Sequence, residues 1–339
     1  MKPDYSQPAG SAIPWPPASG DDDATRSSGL QVIDARGAGG ERLDQYLAAR
    51  LEGVSRTRVQ RWIALGAVRV DHSLRLPSHR LGGHERIEVE PQPLESEQAF
   101  QPDPVALAIL HRDDDVVVID KPAGLVTHPA PGNWRNTLMN GLLHADPRCA
   151  RLPRAGIVHR LDRDTSGVLV CARSERAFTA LTAQLAARTM SRQYFAIVQG
   201  PIAARGSIDA PIGRDPRNRL RMAVVPAAAG KPARTHYRVL ARSADGRVAA
   251  LMLRLETGRT HQIRVHLASI GHPLVGDTTY GGLSRAGFAR QALHAWRLVF
   301  EHPGTGRRLA VDCRLPGDLR ELAAALGLAV DPDAPEEAA

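Results

Sequence analysis

Gly156-Ile157-Val158-His159-Arg160-Leu161-Asp162-Arg163-Asp164-Thr165-Ser166-Gly167-Val168-Leu169-Val170 reads as an apolar strand, a polar loop and a second apolar strand. A loop held between two strands is a rigid platform for a reactive side chain. This one carries two carboxylates, Asp162 and Asp164, with Arg160 and Arg163 beside them. Adjacent guanidinium groups favour the ionised carboxylate that a nucleophile or general base needs. Taken alone, the loop fits equally an ordinary turn in which Asp and Ser bond their own backbone.

A second polar segment, Thr257-Gly258-Arg259-Thr260-His261-Gln262-Ile263-Arg264-Val265-His266-Leu267-Ala268-Ser269-Ile270-Gly271-His272-Pro273, reads as a helix. Thr260 is placed to cap its start. Ile263, Leu267 and Ile270 form an apolar stripe, and Gly271 with Pro273 ends it. Arg264 then lies at the edge of a buried stripe, one turn from His261. An uncompensated buried charge is very costly, so a carboxylate partner is expected for it, which the segment does not identify. His261, His266 and His272, with His128 and His159 elsewhere, lack the ligand spacing of a zinc site, and no Gly-rich phosphate loop stands out.

Towards the N-terminus, Leu43, Leu47 and Leu51 recur at helical spacing. Ser55 caps a second helix carrying Val59, Trp62 and Ile63, which Gly66 ends. Two alternating runs, residues 67–70 and 86–89, follow as a small sheet. The polar face of this module holds Arg50, Arg56, Arg58, Arg61, Arg69, Arg75 and Arg80 against Glu52 and Asp71 alone in residues 50–80. Such an imbalance favours phosphate contact over a merely solvated face. The module resembles the S4-type RNA-binding domain over residues 41–90, including Arg42-Leu43-Asp44 and Ser55-Arg56.

Composition sets limits around these segments. The net charge is +8, and it is uneven: residues 1–40 hold three basic and five acidic groups, and residues 331–339 four acidic and no basic ones. That leaves 41 basic against 27 acidic groups between them, a body suited to a polyanion. All the cations except Lys2, Lys121 and Lys231 are arginines. Cys149, Cys171 and Cys313 are too scattered for a disulfide framework or a metal site. The longest apolar runs have strand length, and no signal peptide or membrane span is visible, so a cytoplasmic enzyme is expected. The expected organisation is a disordered tail over 1–38, the RNA-binding module over 39–90, a linker over 91–104, a catalytic domain over 105–326 and an acidic disordered tail over 327–339.

The two polar segments together resemble the RluA family of RNA pseudouridine synthases, whose signature loop, HRLD followed by two variable residues and TSG or TTG, is intact from His159 to Gly167. Three further blocks stand in the family's order: Asp120 to Pro129, Arg192 to Gly200 with its basic-x-Tyr strand, and Thr257 to Tyr280. The stretch from Thr127 to Asn133, with Pro211 to Arg214, is similar to the D-type branch that modifies large-subunit (23S) ribosomal RNA. This resemblance implies an α+β pseudouridine synthase fold, a mixed, largely antiparallel sheet with flanking helices and a central RNA-binding cleft, plus the small S4-type α/β domain.

The resemblance also implies roles. Asp162 is the catalytic aspartate, Tyr194 packs against the target base, Arg264 pairs with the aspartate, and Arg160 fills the space left when the base is flipped out. Arg56, Arg58, Arg61 and Arg69 are the module's candidate RNA contacts. No cofactor and no metal is implied; the partner is ribosomal RNA or its large-subunit precursor, and a monomer is expected. Two other readings remain at this stage. The chain could be a non-catalytic RNA-binding or ribosome-assembly protein, or a hydrolase using Asp162 and Asp164 as a carboxylate pair. The same reaction on another rRNA site or on tRNA is a third.

Overall fold

The computed structural model describes residues 13–14, 29–92, 99–130 and 132–331. The chain divides into two units, a smaller one within residues 19–98 and a larger one comprising 1–18 and 99–339. After β1 (Ile13–Pro14), which belongs to the larger unit, come β2 (Gln31–Asp34), α1 (Leu43–Arg50), α2 (Arg56–Ala64), β3 (Val68–Val70) and β4 (Arg86–Val89). These last five make the small unit, with an antiparallel sheet in the order β2-β4-β3.

The helical spacings of the sequence are realised there: Leu43, Leu47, Val59, Trp62 and Ile63 pack on Ile87 and Val89. Ser55 caps α2 by accepting from the Arg58 N–H. Asp44, fully buried, is the polar link between the helices and accepts from Arg42, Arg56 and Gln60. Residues 31–34 were assigned to the disordered tail but form β2. Ile33 pairs with Ile87, and the Asp34 carbonyl accepts from the Tyr46 hydroxyl. A short run of alternating residues beside a Pro- and Gly-rich stretch carries too little periodicity to show this pairing. Residues 1–12 and 15–28 of the expected tail lie outside the described residues.

The larger unit contains β5 (Ala108–Arg112), β6 (Val116–Lys121), α3 (Leu138–Ala145), β7 (Ser166–Ala172), α4 (Glu175–Ala187), β8 (Ser191–Gln199) and β9 (Arg205–Asp209). It continues with β10 (Ile212–Arg214), β11 (Met222–Val224), β12 (Arg234–Arg242), β13 (Val248–Leu255), α5 (Gln262–Ser269), β14 (Leu293–Glu301), β15 (Arg308–Asp312) and α6 (Gly317–Ala325). Among the described residues one ten-stranded sheet runs β1-β5-β6-β7-β14-β8-β13-β12-β9, with β15 paired to the second half of β14. Every pairing in it is antiparallel except β7 with β14, so the sheet is mixed, as expected.

The sheet is covered on both faces, which is why its central strands are continuous apolar runs. Along β8, Tyr194, Ala196 and Val198 join the core that includes β7 and Leu181 of α4, while Phe195 and Ile197 face Trp296 and Leu319 of α6. Both ends of this unit differ from the expected boundaries. Residues 99–104 were taken as linker, yet Ala99 and Asp103 are buried; the Asn140 amide donates to the Ala99 carbonyl, and Asp103 accepts from Arg135. Leu328, assigned to the acidic tail, is buried against α6. Residues 93–98 and 332–339 lie outside the described residues.

Candidate active site

The loop 159–165 is fixed from three sides. Its N-terminal limb is not the strand expected: Ile157 makes a single bridge to Cys171, and the His159 Nε2 accepts from the Val170 N–H at 3.2 Å. Burial pulls His159 down to about 3, consistent with an acceptor nitrogen. From a second side comes the segment after β6. The Lys121 Nζ, fully buried, donates to the carbonyls of Pro122, Leu125 and Arg163 at 2.8, 2.8 and 3.0 Å. Thr127 donates its hydroxyl to the Leu161 carbonyl at 2.8 Å. Three acceptors use all three hydrogens of a protonated amine. Burial pulls the Lys121 pKa down to about 7.

The third constraint is within the loop and β7. The Thr165 N–H closes a turn on the Asp162 carbonyl. Gly167 has φ +114°, and a Cβ on it would run into the Ala295 carbonyl of β14. Only glycine suits that position, both for the backbone and for the parallel pairing of β7 with β14. Asp164 is not among the residues lining the cleft and pairs with Arg163 at 3.1 Å. The two carboxylates therefore have different surroundings, which works against their acting as a hydrolytic pair.

Opposite the loop, α5 presents Arg264. Thr260 does not cap this helix. His261 stands at the N-cap in the left-handed region, φ +55°, with no side-chain cap. The turn is held instead by Gln262, whose Oε1 accepts from the Thr257 hydroxyl and the Arg259 N–H. Ile263 and Leu267 are buried as the stripe requires, whereas Ile270, the residue after the helix, is exposed.

Arg264 is buried and lies between two carboxylates. Its Nη1 is 3.1 Å from Asp162 Oδ2, and its Nε and Nη2 donate to Asp277 Oδ2 and Oδ1 at 2.7 and 2.9 Å. Burial opposes the charge, but the hydrogen bonds and charge of Asp277, with those of Asp162, hold the guanidinium above its ordinary value. Asp277 lies within the Thr257 to Tyr280 block, and from sequence alone it has no assigned role. The signal that could have found it is the buried cation itself, which needs a fork-shaped acceptor of its own.

Two further groups complete the floor. The His261 Nε2 is 3.9 Å from Asp162 Oδ2, and its Nδ1 is 2.8 Å from the Tyr280 hydroxyl. That hydroxyl accepts from the Met222 N–H, so it has its own proton to give to Nδ1. Burial pushes the His261 pKa down against the pull of Asp162. Tyr194, on β8, is buried beside the same cleft. Burial raises its phenol above its ordinary value, with Arg192 opposing, so it is suited to packing and poorly suited to acting as a base at neutral pH.

The cleft over Asp162 has a volume of about 530 Å³, in the range of small-ligand sites. Six arginines line it, against Asp162 and Glu256 as the acidic groups. Arg160 is among the six and is exposed at the rim. The structure thus brings together Asp162, Tyr194, Arg264 and Arg160. Among the described residues no cluster of His, Cys, Asp or Glu could hold a metal, and no helix is long and apolar enough to cross a membrane.

In the small unit the candidate contacts are less uniform. Arg56 is engaged with the buried Asp44, and Arg58 lies over the Trp62 ring while donating to the Gln92 carbonyl. Arg61 and Arg69 are exposed.

Residues 115–269 match the family described as RNA pseudouridylate synthase, and residues 41–87 match the S4 domain. The chain is 46% identical over 324 residues to the ribosomal large subunit pseudouridine synthase D of Nitrosomonas europaea, covering 93% of this chain and 92% of that protein. The protein of the same name from Xanthomonas campestris is 46% identical over 313 residues, with 88% and 93% covered. Among solved structures, human RNA pseudouridylate synthase domain containing 4 aligns with a TM-score of 0.53 and 25% identity over 66% of this chain and 94% of that one.

Proposed function

Because the chain belongs to the RNA pseudouridylate synthase family, we propose that its cleft isomerises uridines of 23S ribosomal RNA with Asp162 as the catalytic carboxylate. The reaction breaks the bond from C1′ to N1, turns the uracil and joins C1′ to C5; a proton leaves C5 and N1 ends with one. It is redox-neutral and adds no atoms, which matches a site of carboxylate, guanidinium and phenol. Asp162 engages the ribosyl group, Arg264 holds it in place, and Tyr194 packs on the flipped base, which costs a few kcal/mol to extrude. In this reading Arg160 occupies the vacated stack, which its exposure on the cleft lining supports.

The observation that carries this reading is the ion pair at 3.1 Å between Asp162 on the signature loop and an Arg264 that Asp277 grips independently. The relatives' names, which specify the ribosomal large subunit, support the RNA substrate. The small unit, through exposed arginines such as Arg61 and Arg69, adds phosphate contacts. The same reading makes the protein a cytoplasmic monomer.

Carbodiimide mapping of pseudouridines in the host's ribosomal RNA, from cells carrying the parent gene, no gene or Asp162→Asn, tests it. Asp162→Asn is expected to lose the modification while purified protein still binds the RNA. Substantial modification by that variant refutes the assignment.

A further inference from the structure

One group in the cleft has no counterpart in the chemistry above. Arg192 sits on β8 two residues before Tyr194, and both line the cleft. It is 8% exposed, its Nε is buried without a hydrogen-bond partner, and among the described residues no carboxylate pairs with it. Its cross-strand neighbours are Leu255 on β13 and Leu298 on β14, neither of which can compensate a charge. The cleft's two carboxylates are already committed: Asp162 to Arg264, and Glu256 to Arg188, Arg234 and His236. A buried N–H without an acceptor is unfavourable, and the cleft is the direction from which an acceptor can come.

The wall opposite is cut to admit this side chain. A Cβ on Gly258 would stand 2.7 Å from the Arg192 Nη1. Gly258 is not in the left-handed region, so a side chain there would be accommodated by moving the Arg192 guanidinium from its place. The protein thus keeps a guanidinium with no carboxylate partner among the described residues beside Gly258, on the lining of the cleft.

We propose that Arg192 receives a phosphodiester of the RNA, that of the nucleotide whose base lies against Tyr194. Two residues along a strand span about 7 Å, comparable to the reach of one nucleotide from its base to its own phosphate. A planar guanidinium suits bidentate pairing with phosphate. Arg192 is then a binding residue that holds the RNA backbone in the cleft, a contact made equally in the bound substrate and the transition state. The assignment rests on the reading of this cleft as the uridine site.

The test uses the full-length protein and a 23S ribosomal RNA transcript, with Arg192→Met, Arg192→Lys, Gly258→Ala and Asp162→Asn. Without RNA, Arg192→Met is expected to melt about 2 °C or more above the parent, because a buried N–H without an acceptor is gone. A side chain with a purely structural role would lower the melting temperature on removal. With RNA, Arg192→Met is expected to raise KM with kcat largely kept. One lost phosphate contact makes the fall in affinity between about 50 and about 200 mM salt roughly threefold smaller. Arg192→Lys restores the salt slope, and Gly258→Ala shifts it as Arg192→Met does. A lower melting temperature for Arg192→Met, or an unchanged salt slope, overturns the proposal. Asp162→Asn separates the two readings: turnover by that variant defeats the uridine-site assignment, whereas its inactivity beside an unchanged Arg192→Met slope defeats only the phosphate contact.

Discussion

Arg264→Met should be the most destabilising of three substitutions in the ion-pair triad, and the order among them tests how that triad is built. Arg264 is one cation between two anions, bound twice by Asp277 and once by Asp162. Removing it leaves two carboxylates, 1% and 17% exposed, without the charge they share. Breaking a buried pair from one side costs about 3–5 kcal/mol. Asp162→Asn takes away the excess negative charge and leaves both Asp277 bonds in place, so its expected cost is within about 1 kcal/mol. Asp277→Asn weakens two charge-assisted bonds, for about 2–3 kcal/mol, and should also lower kcat because Arg264 loses its grip. In a unit of this size 1 kcal/mol shifts the melting temperature by roughly 2–4 °C. Calorimetry on the full chain should therefore find Arg264→Met lowered by roughly 10 °C, Asp277→Asn by about 5 °C and Asp162→Asn by less than about 3 °C. If Asp162→Asn falls as far as Arg264→Met, or Arg264→Met melts with the parent, the triad is not organised around a shared cation.

Other perturbations follow from the packing around it. Lys121→Met removes the shared charged donor of three carbonyls, among them that of Arg163 beside Asp162; a loss of about 3 kcal/mol with a fall in kcat is expected in urea titration and turnover assays. Gly167→Ala forces both an unfavourable φ and a clash with β14, and should yield insoluble protein or a large drop in melting temperature. Glu85 in the small unit is held at about 2, first by the Gly82 N–H, with burial opposing. Its folded value is depressed, so the stability it confers is present above about pH 4.5 and is lost as the pH falls towards about 2. Circular dichroism of Glu85→Gln should lose the part of the acid transition that lies in that window.

The local elements were the most legible part of the chain. The helices around Leu43 to Leu51 and Val59 to Ile63, and the strands 68–70 and 86–89, follow from side-chain periodicity, which depends on neighbours close in sequence. The demand that Arg264 have a carboxylate partner was also legible, since burying a charge has the same cost in any fold. Which carboxylates answer it was not, because Asp162 and Asp277 reach it through tertiary structure. The Asp162 pair came from family resemblance, and the double grip of Asp277 from the structure alone. Boundaries failed where weak local pattern was overridden by long-range contact, at β2, at Ala99 to Asp103 and at Leu328. Thr260 looked like a cap because its residue type fits one, but the left-handed His261 and the Gln262 side chain close the turn by another route.

The position of β14 bears on how the enzyme comes into being. It lies between β7 and β8, which flank the proposed site, yet among the described residues it is the fourteenth of fifteen strands in sequence. During synthesis, at roughly 5–20 residues per second, the strand bearing Tyr194 is made well before the neighbour that will join it to β7. Such distant pairing is also slow to form. The small unit lies within residues 19–98, so its sequence is complete while the larger sheet is still open at its centre. Chemistry on uridine therefore has to wait until residues 293–301 have left the ribosome.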